Sequence, residues 1–279
     1  MSYRTILVHV DPSKRTPERV ALAAQLAMTE DAHLVGAAMT GLTQFIYQCG
    51  AVDPSAGFVA PDLSFLNECA DLALAGFTAQ VERLGVRSWE ARRLDDDAEA
   101  GLALQARYAD LVVLGQPEAG EDSPGIIATL PEYVLLNSMR PVLLLPRVGH
   151  FERIDRHALL AWDGSLEATR ALTAAIPLLR HAGLVTLAVF HPSAHNSVHG
   201  EVPGADIALH LARHGVKVEV NERPAADDIG EAILSLAAEL DADLIVMGGY
   251  GHARLREMVL GGATSTVLRA MTVPVLMAH

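Results

Sequence analysis

The chain has 279 residues, 51% hydrophobic and 20% charged, a globular balance that excludes a disordered polypeptide. With 34 acidic against 21 basic residues the net charge is −13, histidine neutral, which excludes a general nucleic-acid binder held by phosphate contacts. Two cysteines, Cys49 and Cys69, without C-x-x-C spacing exclude a disulfide framework and a multi-thiolate metal site, and point to a reducing cytoplasm.

The first apolar run, Ile6-Leu7-Val8, reads as a strand and stops at Asp11, far short of the ~20 apolar residues of a membrane span, so neither a signal peptide nor a membrane helix is expected. Pro17–Leu26 has the spacing of an amphipathic helix. Thr40–Asn67 is rich in turn residues and carries Phe45, Tyr47, Phe58 and Phe65; it reads either as a cover or partner contact or as a packed, family-specific loop. Asp95, Asp96 and Asp97, followed by Glu99, resemble a cation site or paired catalytic carboxylates, but acidic residues at a helix start explain them more economically, and Asp227-Asp228 repeat the device.

Further along, the chain repeats itself. Ile6–Ser13 parallels Ala158–Ser165 at an offset of 152, while Ala109–Gly115 matches Ala242–Gly248 and Arg140–Leu144 matches Val273–Met277 at an offset of 133. Three matches in order, with one change of offset, indicate a duplicated domain, with a linker near Arg147–Arg156 and 19 extra residues in the first half, best placed in Thr40–Asn67. Each half reads as strand, helix, strand, variable stretch, strand, helix, strand, helix, strand. The second half has a helix over Glu167–Leu179, with Asp163 or Ser165 as N-cap, and another over Ala263–Met271. The fold class is α/β: two tandem, doubly wound, parallel-sheet domains over 1–148 and 155–279. In such sheets ligands collect at the carboxyl ends of the strands, where Asp11, Asp163, Gly115 and Gly248 are expected.

In the second half the strand Leu244–Met247 runs into Gly248-Gly249-Tyr250-Gly251, nine residues intervene, and Gly261-Gly262 open the next helix. Glycines there permit positive φ and close backbone approach, and a helix start offers unpaired N–H groups, so the segment reads as a phosphate cradle.

On these residues the chain resembles the universal stress protein family in its tandem two-domain form. The nucleotide-binding branch carries Gly-x2-Gly-x9-Gly followed by Ser or Thr; Gly248, Gly251 and Gly261 match it, and Gly262 replaces the hydroxyl residue, for which Thr264 or Ser265 could compensate. The resemblance implies the universal stress protein fold, akin to that of the adenine nucleotide alpha hydrolases. It implies binding of ATP or a related adenine nucleotide, with or without Mg2+. Asp163 would meet ribose or adenine, and Phe190 the adenine through its backbone. Met247, Gly248, Tyr250 and Gly251 would line the strand exit, and Gly261, Gly262, Ala263 and Thr264 the helix start. It further implies a cytoplasmic regulator of the stress response whose halves form an intrachain pseudo-dimer through Pro141–Leu145 and Pro274–Met277; a further homodimer and an unidentified protein partner stay open. In the first half Glu118, Ala128, Thr129 and Pro131 stand where Gly251, Gly261, Gly262 and Thr264 stand, so one nucleotide per chain is expected.

Other readings carry less. His252, Arg254 and Arg256 are phosphate contacts or solvated charges. His191, His195, His199, His210 and His214 invite a metal, but no Cys or acidic motif locks them together. Neither a Gly-x-Ser-x-Gly elbow nor a Walker pattern is present, which argues against a serine hydrolase and a fast ATPase. The competing functions are a nucleotide-independent interaction module and a slow ATP hydrolase.

Overall fold

The computed structural model describes residues 2–41, 64–116, 129–190, 204–224, 226–251 and 262–279. Contacts divide the chain into an N-terminal unit, Tyr3–Ser138, and a C-terminal unit, Met139–His279 with Ser2.

The N-terminal unit runs β1 (Thr5–His9), α1 (Thr16–Glu30), β2 (His33–Met39), α2 (Ser64–Leu84), β3 (Trp89–Leu94), α3 (Ala98–Ala106), β4 (Leu111–Gly115) and α4 (Leu130–Asn137). Its strands are parallel in the order β3-β2-β1-β4. Ile6, Val8, Leu34, Leu111 and Val113 are fully buried, as central parallel strands covered on both faces require. The edge strand β3 is half-buried to exposed along its whole length.

Helix α2 lies in the stretch read as variable, and its first residues belong to the segment Thr40–Asn67; residues 42–63, with Phe45, Tyr47 and Phe58, lie outside the described residues. Its buried face, Leu66, Ala70, Leu74, Phe77 and Val81, keeps helical spacing, so the signal was present but masked by the turn-rich residues before it. Phe77 packs against β2 at Gly36, where a Cβ would stand 2.6 Å from its ring. The ring also meets Trp89 edge-on at 6.0 Å.

The C-terminal unit comprises β5 (Val142–Leu145), β6 (His157–Trp162), α5 (Leu166–His181), β7 (Leu184–Phe190), α6 (Ala205–Arg213), β8 (Val218–Arg223), α7 (Ile229–Glu239), β9 (Leu244–Gly248), α8 (Ala263–Ala270) and β10 (Val275–Ala278). The order is β5-β10-β9-β6-β7-β8, parallel except for β5, which runs antiparallel to β10 with Leu143 opposite Leu276. From β6 the chain steps outward to β7 and β8, then returns to the other side of β6 as β9. The strand order therefore reverses between β6 and β9, the topological position at which α/β sheets open a crevice.

Helix ends follow their chemistry. Asp97 and Asp228 cap α3 and α7 by accepting the N–H of Ala100 and Glu231, as expected of those acidic residues. Ser165, not Asp163, caps α5 through the Ala168 N–H. Helix α1 continues beyond Leu26 to Glu30 and stops where Asp31 turns left-handed at φ 52°.

Candidate functional site

The last register pair between β6 and β9 is Leu160 with Val246. Beyond it the strands end at Trp162 and Gly248, with Asp163 and the Gly248–Gly251 segment at the carboxyl edge where the crevice opens. Asp163 is exposed and its Oδ1 accepts the Ser165 N–H at 2.9 Å, closing a tight turn through Gly164, whose φ is 76°. Phe190, at the end of β7, is half-buried and stands opposite Arg223. Met247 is buried and in register with Met277.

Gly248 serves close approach rather than positive φ. A Cβ on Gly248 would stand 2.6 Å from the Ala168 nitrogen and 2.8 Å from the Glu167 carbonyl carbon, because the first turn of α5 presses on the end of β9. Gly248 and Gly251 avoid the left-handed region, and Gly262 has φ −67°. The left-handed residue of the segment is Tyr250, at φ 52°. Of the two properties expected of these glycines, close backbone approach is used at Gly248, which its neighbour helix requires, while the left-handed turn is made at Tyr250.

Tyr250 also ties the segment to α8. Its N–H donates to Thr264 Oγ1 at 3.0 Å, and Thr264 is buried in the first turn of α8. Gly262, the N-cap residue, gives α8 no side-chain cap, and its first turn holds no acidic residue. Thr264 Oγ1 is thus already an acceptor inside the protein, while Ala263 and Ser265 are half-buried beside it. The segment is further fixed at its start, where Gly249 N–H donates to Ala278 O at 2.9 Å and His279 Nδ1 lies 2.9 Å from Gly249 O. Gly261, His252, Arg254 and Arg256 lie outside the described residues.

Glu167 belongs to this site and was read from sequence only as part of a helix. It is buried to 3% exposure in the first turn of α5, and its Oε2 lacks a hydrogen-bond partner. That oxygen lies 3.9 Å from where a Cβ on Gly251 would stand. An acidic residue in a first helical turn is so common a partner of the helix dipole that it raised no other expectation.

The corresponding edge of the N-terminal unit is built otherwise. Asp11 makes the same turn, accepting the Ser13 N–H at 3.0 Å, but it is buried and engaged by Arg19 Nη2 at 2.8 Å and by the Thr16 hydroxyl. Arg19 also donates Nε to His9 O and Nη2 to Thr16 Oγ1, both at 2.8 Å, and its Nη1 would lie 2.5 Å from a Cβ on Gly115. Burial works to raise the Asp11 pKa, but Arg19, His9 and the hydrogen bonds from Thr16 and Arg19 hold it well below the usual carboxylate range. Helix α2 closes over the strand ends. The cavity left between His9, Asp11, Thr40, Leu66, Cys69 and Ala73 measures about 10 Å³, room for one water. Thr129 donates its hydroxyl to Glu99 Oε1 at 2.6 Å, Pro131 lies in the first turn of α4, and burial together with the Glu99 charge raises the Glu132 pKa. Glu118 and Ala128 lie outside the described residues.

Among the described residues no three His, Cys, Asp or Glu side chains gather as a metal site; His210 and His214 stack edge-on at 4.7 Å, and His191, His195 and His199 are not described. Nor is any described helix long and apolar enough to cross a membrane.

Residues 156–279 match the model of the universal stress protein family. Over 170 residues the chain is 28% identical to the universal stress protein Slr1230 of Synechocystis, a match covering 60% of this chain and 57% of that protein. Its fold is similar to that of a universal stress protein from Archaeoglobus fulgidus, with a TM-score of 0.75 at 18% identity over 98% of this chain and 95% of the other. A universal stress protein described as putative, from Pseudomonas aeruginosa, gives a TM-score of 0.58 at 16% identity over 98% and 92% of the two chains. Residues 156–279 thus match the universal stress protein family, and the chain over nearly its whole length has the fold of a universal stress protein.

Proposed function

We propose that the second domain, 155–279, binds ATP or a related adenine nucleotide, and that the first, 1–148, is a degenerate copy that binds none. The phosphates would rest on the backbone of Gly248, Tyr250 and Gly251 and on the start of α8 at Gly261, Gly262, Ala263 and Thr264. Asp163 and Phe190 would take the ribose and adenine, with Met247 beneath.

The observation that carries this reading is the bond from Tyr250 N–H to Thr264 Oγ1, which holds a glycine-rich strand exit against a helix start free of acidic side chains and of a side-chain cap. Such a start presents unpaired N–H groups and a partial positive charge to an anion. Reading the first domain as degenerate is supported by the Asp11–Arg19 pair, the closure of the strand ends by α2, and the acidic start of α4. The family match over residues 156–279 supports a role as a nucleotide-dependent regulator of a stress response in the cytoplasm, acting as a dimer or on a protein partner.

Calorimetric titration of the full chain with ATP, ADP and AMP tests the reading, alongside the Gly251→Ala variant. One site per chain, weakened by the substitution, is expected. Two equal sites, or none, would overturn it.

A further inference from the structure

The proposed phosphate site contains a carboxylate that an incoming polyphosphate would have to face. Glu167 sits in the first turn of α5 with its Cβ 2.9 Å from the Cβ position of Gly248 and its Oε2 3.9 Å from that of Gly251. The oxygen is buried and lacks a hydrogen-bond partner, and the side chain is 3% exposed. A buried carboxylate is ordinarily paired or hydrogen-bonded, because removing it from water is costly. Against a phosphate it would repel, since like charges at short range inside protein are poorly screened.

Both difficulties have one remedy. Mg2+ keeps several waters and is held by one or two protein carboxylates together with substrate phosphates. Glu167 provides one such carboxylate, and the remaining ligands would come from the nucleotide and water.

We propose that Glu167 is the protein ligand of a divalent cation bridging it to the phosphates, so that the second domain takes the metal complex of a nucleoside di- or triphosphate and discriminates against the free nucleotide. This rests on the nucleotide-binding reading above. The orphaned Oε2 is then the site's selectivity element: it rejects an unaccompanied anion and accepts a neutralised one.

The test is titration of the full chain with ATP in excess Mg2+ and again in EDTA, for wild type and Glu167→Gln. Wild type is expected to lose about 100-fold in affinity without metal, a coupling in the usual range. Glu167→Gln, which removes the charge with little change of shape, is expected to bind ATP almost equally in both conditions. Glu167→Asp is expected to restore part of the metal dependence. As an independent readout, the Mn2+–ATP electron paramagnetic resonance signal should broaden with wild type and not with Glu167→Gln, and Mn2+ alone should bind neither detectably. Equal ATP affinity with and without metal in wild type, or an unchanged metal dependence in Glu167→Gln, would overturn the role of Glu167 while leaving nucleotide binding intact. Failure of both proteins to bind ATP, ADP or AMP under any condition would remove the nucleotide reading and this one together.

Discussion

Arg19 Nη2 and Asp11 Oδ1 lie 2.8 Å apart with both side chains buried, and the second half has Ala171 in the place of that arginine. Thr16, whose hydroxyl also engages Asp11, is likewise replaced, by Ala168; the two differences accompany a carboxylate locked inside its domain and one, Asp163, left exposed at the strand end. Removing one partner of a buried pair strands the other charge, at a cost of ~3–5 kcal/mol. Arg19→Met is therefore expected to destabilise by that amount, and Asp11→Asn added to it to recover more than half. Urea denaturation of the two single variants and the double variant gives the coupling. A cost for Arg19→Met within ~1 kcal/mol, the range of an exposed pair, would show that the pair does not hold this edge of the domain.

His9 makes the same edge sensitive to pH. Burial, with Arg19 adding and Asp11 opposing, pushes its pKa from 6.5 to about 4. Between those values the unfolded chain takes up a proton that the folded chain refuses. Stability is therefore complete above pH ~6.5 and declines as pH falls toward ~4, by ~3 kcal/mol in all. Asp11, its pKa depressed, contributes stability above its unfolded value near pH ~3.9, and this is lost only in stronger acid. Thermal melts between pH 7 and pH 4 should show the decline in wild type and a flatter profile in His9→Asn. Equal slopes would remove His9 as the cause.

Gly248 and Gly251 separate packing from binding. Gly248 has no room for a Cβ against Glu167 and Ala168, so Gly248→Ala is expected to destabilise by ~1–3 kcal/mol whatever binds there. Among the described residues the atom nearest a Cβ on Gly251 is 3.9 Å away, so Gly251→Ala should change stability by less than ~0.5 kcal/mol. Its effect should fall on nucleotide affinity instead. Denaturation and calorimetry on both variants check this, and a Gly251→Ala protein with unaltered ATP binding would place the phosphates elsewhere.

The repeat and the strand periodicity carried the parallel α/β fold, because buried central strands such as Leu111–Leu114 are continuous apolar runs and Asp97 and Asp228 mark their helices locally. Local signals do not report what approaches from another element. The glycine rhythm at 248, 251 and 261 was visible, but not that α5 forces Gly248, that Tyr250 makes the left-handed turn, or that Glu167 points toward Gly251. Helix α2 escaped notice because turn residues precede its apolar stripe, and Arg19 because a charged residue in an amphipathic helix is ordinarily solvated.

Asp163 and Ser165 offer the sharpest division between structural and ligand roles, since they stand two residues apart in one turn. Ser165 caps α5 through the Ala168 N–H, so Ser165→Ala should cost ~1 kcal/mol of stability and leave nucleotide affinity nearly unchanged. Asp163 is exposed and accepts only a turn hydrogen bond from Ser165 N–H through Oδ1, which Asn can also do. Asp163→Asn should therefore fold as well as wild type, with any loss appearing in ATP binding, where the negative charge and second acceptor oxygen are missing. Asp163→Ala should add a small loss of stability, ~0.5 kcal/mol, to the same loss of affinity. Denaturation midpoints and ATP titrations on the three variants separate the two roles. If Asp163→Ala binds ATP as wild type does, the carboxylate shapes the turn alone, and the ribose and adenine must be held by other groups at the ends of β6 and β7.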